Sequence, residues 1–153
     1  MAKKTALIKQ LQGTTLVAKS DSKHWVVMDG GPNTGGSEAA PTPKELLMFA
    51  VGGCTAMDVI PILKKKRVPV ENVEVIVSGT TREEHPQVFN ELHVEYVVYG
   101  ENINPADVER AIDLSTTKYC SVHAMLSKGV KMTHSYRIEP INAAAEKQPI
   151  SAN

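Results

Sequence analysis

The stretch at residues 41–67 reads PTPKELLMFAVGGCTAMDVIPILKKKR and predicts one long helix. Thr42 suits the N-cap, Pro43 suits the first helical position, and Glu45 follows three residues after the cap, which together make a capping box. Residues 46–63 are apolar on nearly every face of such a helix. Because a helix of this kind is normally buried, we predict that it lies at the centre of the protein.

The length and apolarity of this helix also suit a membrane span. However, Lys44, Glu45 and Asp58 interrupt the stretch, and no belt of aromatic residues flanks it. We therefore expect a core helix and no membrane partner.

Composition narrows the class of protein. A chain of 153 residues fits one domain and buries a core, and its 17 basic and 17 acidic residues cancel to a formal net charge of zero. This balance gives no electrostatic reason to expect a nucleic-acid partner. No apolar signal segment follows Met1, and two cysteines do not make a secreted disulfide scaffold, so we expect a cytoplasmic protein.

Alternating apolar residues and helix caps predict the remaining elements. The expected strands are residues 6–12, 14–20, 24–29, 73–82, 92–100 and 130–139, and the expected helices are residues 105–116 and 122–128. This order indicates an α+β domain over residues 1–140 with a largely antiparallel sheet. Residues 141–153 have little to bury, so we expect a flexible C-terminal tail.

The predicted elements are too few to enclose a helix that is apolar on all faces. A homodimer, in which two central helices pack together between the sheets of the two protomers, would cover both helices. We therefore expect an obligate homodimer.

Two thiols are the strongest chemical signal. Cys54 follows Gly52 and Gly53 inside the central helix, where it is either an inert small hydrophobe or a reactive group. Cys120 begins a short helix, where N–H groups and the helix dipole favour an anion and lower a thiol pKa. A packing or capping role for Cys120 is equally consistent with the sequence. The two cysteines are far apart in the chain, so only the fold can bring them together.

Asp58 and His123 offer further chemistry near these thiols. Asp58 lies one turn after Cys54 on roughly the same helix face, where its charge would raise the thiol pKa. It could instead accept a hydrogen bond from the backbone of the other protomer. Cys120 and His123 form one metal-ligand pair that Cys54 and another histidine could complete, but a single pair is weak evidence for zinc.

Residues 41–67 together with STTKYCSVHAMLSKGVKMTHSY at residues 115–136 resemble the OsmC/Ohr family, specifically its YhfA-like branch. The resemblance extends over residues 5–138. It implies an intertwined homodimer with two sites at the subunit interface, no bound cofactor or metal, and a role in the stress response to organic hydroperoxides. In the peroxidatic members a cysteine at the place of Cys54 attacks the hydroperoxide. A second cysteine at the place of Cys120 then resolves the sulfenate into a disulfide, which an external dithiol reduces.

Two positions depart from the peroxidatic pattern of that family. Those members have an arginine in the N-terminal strands, whereas no arginine precedes Arg67 here. They also have a glutamate ten positions before the first cysteine, where this chain has Lys44, and Glu45 is shifted by one. A cation there lowers the thiol pKa and stabilises the leaving oxygen, and lysine lacks the planar guanidinium fork.

The resemblance and these departures leave two functions open. The leading hypothesis is a weak thiol-dependent organic hydroperoxide reductase that uses Cys54 and Cys120, with Glu45, Lys44 and Asp58 in supporting roles. The alternative is a non-enzymatic homodimer that binds a small apolar ligand in its interface cavity. In either case Leu47, Val51 and Met57 are candidates to line the apolar pocket. This expectation rests only on their nearness to Cys54 in the sequence.

Overall fold

The computed structural model describes residues 3–141 in two compact units, one ending at Leu47 and the other beginning at Met48. Of the predicted tail, residues 142–153 lie outside the described part. A single domain over residues 1–140 stays a prediction.

The first unit contains a three-stranded antiparallel sheet in the order β1-β2-β3. Its strands are β1 (Leu7–Gln12), β2 (Thr15–Lys19) and β3 (Trp25–Met28). Asp29 ends the third strand and organises the loop that follows it. The Asp29 carboxylate accepts hydrogen bonds from the Ser37, Ala39 and Gly30 backbone N–H groups. Burial opposes ionisation of Asp29, but these bonds hold its pKa below the usual range.

The long helix α1 (Pro43–Lys65) begins in the first unit and continues into the second. The capping box predicted at its start is present, because the Thr42 N–H donates to Glu45 Oε2 at 2.7 Å and the Glu45 N–H donates to Thr42 Oγ1 at 3.3 Å. The elements that follow are β4 (Val70–Thr81), β5 (Phe89–Gly100), α2 (Pro105–Leu114), a π-helical turn (Ser115–Tyr119), α3 (Ser121–Leu126) and β6 (Lys131–Glu139).

The second sheet has the order β4-β5-β6 and mixes two strand directions. β4 is antiparallel to β5, whereas β6 is parallel to β5. The α+β class and the largely antiparallel pairing are confirmed, and among the described strands β6 is the exception. The helical crossover through α2 and α3 carries the chain back to the starting end of β5, so the next strand runs in the same direction.

Helix α1 packs one stripe of its surface onto the core of this sheet. The buried residues of the stripe are Val51, Gly52, Thr55, Val59 and Leu63. A Cβ atom on Gly52 would lie 3.0 Å from Val77 Cγ2, so glycine permits the close approach of helix and strand. Around Gly53, apart from its chain neighbours and the backbone of its own helix, no atom of the described residues comes within 4 Å of such a Cβ, so the two glycines of this pair differ in their surroundings.

Other apolar residues of α1 are exposed within one chain, as expected from the prediction that its elements are too few to enclose this helix. Phe49, Met57 and Ile60 are 56%, 77% and 45% exposed. By length and composition alone α1 is apolar enough to cross a membrane. One such helix is weak evidence of a span, because core helices of soluble proteins pass the same test.

Candidate functional site

The site is built from one helix and one turn of the second unit. Helix α1 carries Cys54, which is half-buried, and Asp58 one turn later. The π-helical turn delivers Cys120 from the end of α2, and Cys120 is only 3% exposed. The sulfur atoms of Cys54 and Cys120 and a carboxylate oxygen of Asp58 all lie within 4.8 Å of one another.

Both cysteines are free thiols at this separation. A disulfide bond of about 2.05 Å would require the two sulfurs to move closer by a side-chain adjustment. The fold therefore brings together two residues that the sequence alone could not join. Their catalytic roles stay predictions.

The turn before Cys120 is wider than an α-helix. The Cys120 N–H donates to the Ser115 carbonyl oxygen at 2.8 Å, a bond between residues five apart. The sequence predicted that α2 would run to Thr116, whereas the α-helical part ends at Leu114 and the chain continues as this π turn. Such turns are rare and often occur at functional sites.

Cys120 is also the N-cap of α3, as the sequence indicated. Its sulfur accepts a hydrogen bond from the His123 N–H at 3.4 Å. We predicted that this position would lower the thiol pKa, and the structure shows the opposite. Burial is the largest effect and raises the pKa of Cys120 to about 11, while the His123 bond opposes it. The hydrogen bond to Cys54 and the negative charges of Cys54 and Asp58 raise it further.

A chain of buried hydroxyl groups leads from the core to Asp58. Thr55 Oγ1 is hydrogen-bonded to Tyr96 Oη and lies 3.0 Å from Ser115 Oγ. Ser115 Oγ in turn donates to Asp58 Oδ2 at 3.0 Å. Thr55, Tyr96 and Ser115 are all buried, at 3%, 0% and 0% exposure. Burial also raises the pKa of Tyr96 to about 12, against the effect of its bond to Thr55.

This chain of hydroxyl groups was not predicted from the sequence. Thr55 was visible as a polar residue directly after Cys54 in an otherwise apolar helix, which is a signal for a buried hydrogen-bond partner. Tyr96 and Ser115 carried no such signal, because their spacing fits an ordinary strand face and an ordinary helix end.

Comparison with known proteins decides the family. Residues 35–135 match the family model described as OsmC-like protein. The chain belongs to the OsmC family. Protein YhfA of Escherichia coli strain K12, also of the OsmC family, is 43% identical over 133 residues, which cover 87% of this chain and 96% of YhfA.

Solved structures show the same OsmC fold. A hypothetical protein from Aquifex aeolicus VF5 is 30% identical and superimposes with a TM-score of 0.80 over 92% of this chain and 98% of that one. An organic hydroperoxide resistance protein OsmC from Legionella pneumophila is 13% identical, with a TM-score of 0.64 over 89% of this chain and 97% of that one. At the latter identity the likeness concerns the fold alone.

Within this OsmC chain, the other predicted site residues have different surroundings. Glu45 takes part in the capping box, and its pKa is lowered by the hydrogen bonds from Thr42. Lys44 lies exposed in the first turn of α1. Val51 is 2% exposed and belongs to the core, so it does not line an open pocket, while Met57 faces solvent.

The candidate metal donors in the structure differ from those predicted from the sequence. Among the described residues the close donor set is Cys54, Asp58 and Cys120, and it does not include His123. The His123 ring lies instead 5.1 Å from the ring of His134, centroid to centroid. Within residues 3–141, both ring nitrogens of His134 and Nδ1 of His123 are buried without a hydrogen-bond partner. Burial, together with the charges of His123 and His93, lowers the pKa of His134 to about 4.

Proposed function

We propose that this OsmC protein reduces organic hydroperoxides with Cys54 and Cys120, and that an external dithiol restores the two thiols. The observation that carries the proposal is a pair of reduced sulfurs within 4.8 Å in unequal surroundings, one half-buried and one buried. The Legionella pneumophila protein of this fold is named an organic hydroperoxide resistance protein, which agrees with this chemistry.

In the first step the Cys54 thiolate attacks the peroxide. An S–O bond forms, the O–O bond breaks, and the departing alkoxide takes up a proton to become an alcohol. Cys54 is left as a sulfenic acid. Cys54 is the first to react because it is more exposed than Cys120, whose sulfur is shielded.

In the second step the Cys120 sulfur attacks the Cys54 sulfenic acid. The S–S bond forms, the S–O bond breaks, and the departing hydroxide combines with the Cys120 proton to give water. A pKa of about 11 keeps that proton on Cys120 in the reduced protein. The dithiol reductant then supplies two electrons by thiol–disulfide exchange and becomes a disulfide itself. Such reductants keep thiols reduced in the cytoplasm, where we place this activity.

Turnover should be slow. No arginine precedes Arg67, and the charges that act on Cys120 are the negative ones of Cys54 and Asp58. Loss of one preorganised donor for a developing negative charge typically costs about two to three orders of magnitude in rate. We therefore expect weak but Cys54-dependent activity.

A homodimer is part of the proposal. Phe49, Met57 and Ile60 leave an exposed apolar face on α1, and a second copy of the chain would cover it. The exposed apolar face of α1 also favours the second candidate function, a non-enzymatic dimer that binds a small apolar ligand.

The test measures reduction of cumene hydroperoxide, with hydrogen peroxide as the comparison substrate, in the presence of a dithiol reductant. We expect turnover in the wild type, none in Cys54→Ser, and a single trapped sulfenate per chain in Cys120→Ser. Ser121→Ala, next to Cys120, is the matched control and should keep wild-type turnover. Equal background rates in all four proteins would exclude the peroxidase and leave the ligand-binding dimer.

A further inference from the structure

Ser115 contacts both halves of the dithiol site. It is fully buried at the junction of α2 and the π turn. Its hydroxyl donates to Asp58 Oδ2 at 3.0 Å, and its carbonyl oxygen accepts the Cys120 N–H at 2.8 Å. One residue therefore holds the carboxylate on α1 and the backbone of the buried cysteine.

The direction of the hydrogen bonds follows from the carboxylate. An ionised Asp58 only accepts, so the Ser115 O–H points to it. Ser115 Oγ then has no second proton and accepts from Thr55, 3.0 Å away. Thr55 has thereby used its own proton and accepts from the Tyr96 O–H. The three hydroxyls form a one-way chain whose donors all point towards Asp58, and such a chain stabilises the negative charge at its end.

We propose that Ser115 is a positioning residue, which holds the Asp58 carboxylate beside the two sulfurs so that its charge reinforces burial in keeping Cys120 protonated until Cys54 has reacted. The order of reaction in this statement rests on the proposed peroxidase function. The anchoring of Asp58 does not, and it can be tested separately.

The groups around Cys120 explain why Cys54 should react before Cys120. Helix α1 contributes Cys54 and Asp58, β5 contributes the Tyr96 hydroxyl, and α3 contributes the His123 N–H. Burial opposes ionisation of Cys120 most, and the charges of Cys54 and Asp58 add to that effect. Once Cys54 is a neutral sulfenic acid, its contribution is lost while burial and Asp58 still oppose ionisation, so Cys120 becomes a better nucleophile when it is needed.

The experiment titrates Cys120 directly. The chain has two cysteines, so in a Cys54→Ser background the thiolate absorbance belongs to Cys120 alone. The Cys54→Ser/Cys120→Ser protein provides the blank that removes the tyrosine signal. Asp58→Asn should lower the Cys120 pKa, because a nearby like charge is lost. Ser115→Ala should lower it by part of that shift, because an unanchored Asp58 side chain turns towards solvent.

A double-mutant cycle separates positioning from mere packing. If Ser115 acts through Asp58, Ser115→Ala changes nothing further in the Asp58→Asn background. Thr116→Val is the matched control, since within residues 3–141 the Thr116 hydroxyl bonds to the Ile112 and Asp113 carbonyls and not to Asp58, and it should leave the titration unchanged. An equal shift by Ser115→Ala with and without Asp58, or no shift at all, would overturn the proposal.

A second variant covers the case in which Ser115→Ala does not fold. Thr55→Val breaks the hydroxyl chain one bond earlier and should move the titration in the same direction, again only when Asp58 is present. Failure of that dependence would count equally against the proposal. In the protein with both cysteines, Ser115→Ala should also speed the conversion of sulfenate to disulfide, because a lower Cys120 pKa raises its thiolate fraction. A wild type that never reacts with peroxide, but shows the Ser115–Asp58 coupling, would reject the peroxidase function and keep the positioning role.

Discussion

Raising the pH should destabilise the folded protein through Cys120. Its pKa is raised from an ordinary value of 9.0 to about 11, chiefly because the sulfur is buried. A group whose pKa is raised by folding contributes its full stability below the unfolded value. That contribution is lost as the pH rises through the folded value. The loss therefore falls between about pH 9 and about pH 11.

The magnitude follows from the size of the shift. A shift from 9.0 to about 11 spans two units, and at 1.36 kcal/mol per unit it corresponds to about 2.7 kcal/mol of unfolding free energy. The side chain is 3% exposed, so solvent screens this effect little. Cys120→Ala removes the titrating group. Its unfolding free energy should therefore fall by this amount less than that of the wild type as the pH rises through this range.

Urea unfolding under reducing conditions, at fixed protein concentration and at several pH values, measures the profile. Tyr96 also titrates at high pH, but it is present in both proteins, so the difference between their slopes isolates Cys120. The absolute stability of Cys120→Ala will differ because a cavity is created, and only its change with pH matters. Parallel profiles for the two proteins would refute the assignment of Cys120 as a buried, protonated thiol.

Two further predictions concern the histidine pair and the exposed helix face. Burial lowers the pKa of His134 from 6.5 to about 4, so stability should be full above about pH 6.5 and fall towards pH 4. Over that pH range the unfolding free energy of His134→Gln should fall by about 2 kcal/mol less than that of the wild type. Urea unfolding measures the difference, and the exposed His24→Gln serves as the control. Met57→Lys should dissociate the proposed dimer in sedimentation velocity, whereas Val88→Lys, exposed outside α1, should not. A wild type that is a stably folded monomer at micromolar concentration would contradict the dimer.

Local signals in the sequence predicted most of the secondary structure. The capping residues Thr42 and Glu45 placed the start of α1, and Asn104 placed the start of α2, where its side chain accepts from the Ala106 N–H at 3.1 Å. Caps act within one helical turn, so a sequence pattern contains all the information that they require. The strands were also found, although β4 and β5 each begin three residues earlier than predicted.

Features that depend on distant partners were not predictable in the same way. The direction of β6 is determined by the path of the crossover, and strand alternation is the same for parallel and antiparallel pairs. The pKa of Cys120 was predicted in the wrong direction because the helix start is a local signal and burial is not. Only the fold reveals that desolvation outweighs one backbone hydrogen bond.

The hydroxyl chain shows how the core of the second unit and the chemistry of the site are linked. A buried hydroxyl without a partner costs about 1 to 3 kcal/mol, so Tyr96, Thr55 and Ser115 are tolerated only because each is satisfied by the next. This chain of donors ends on Asp58, whose carboxylate accepts the Ser115 proton. An acceptor oxygen at this position satisfies the polar core, and because it belongs to a carboxylate it also brings a negative charge beside the two thiols. Asp58→Asn keeps an acceptor oxygen for Ser115 while it removes that charge, so it separates the ionisation of Cys120 from the packing of Tyr96.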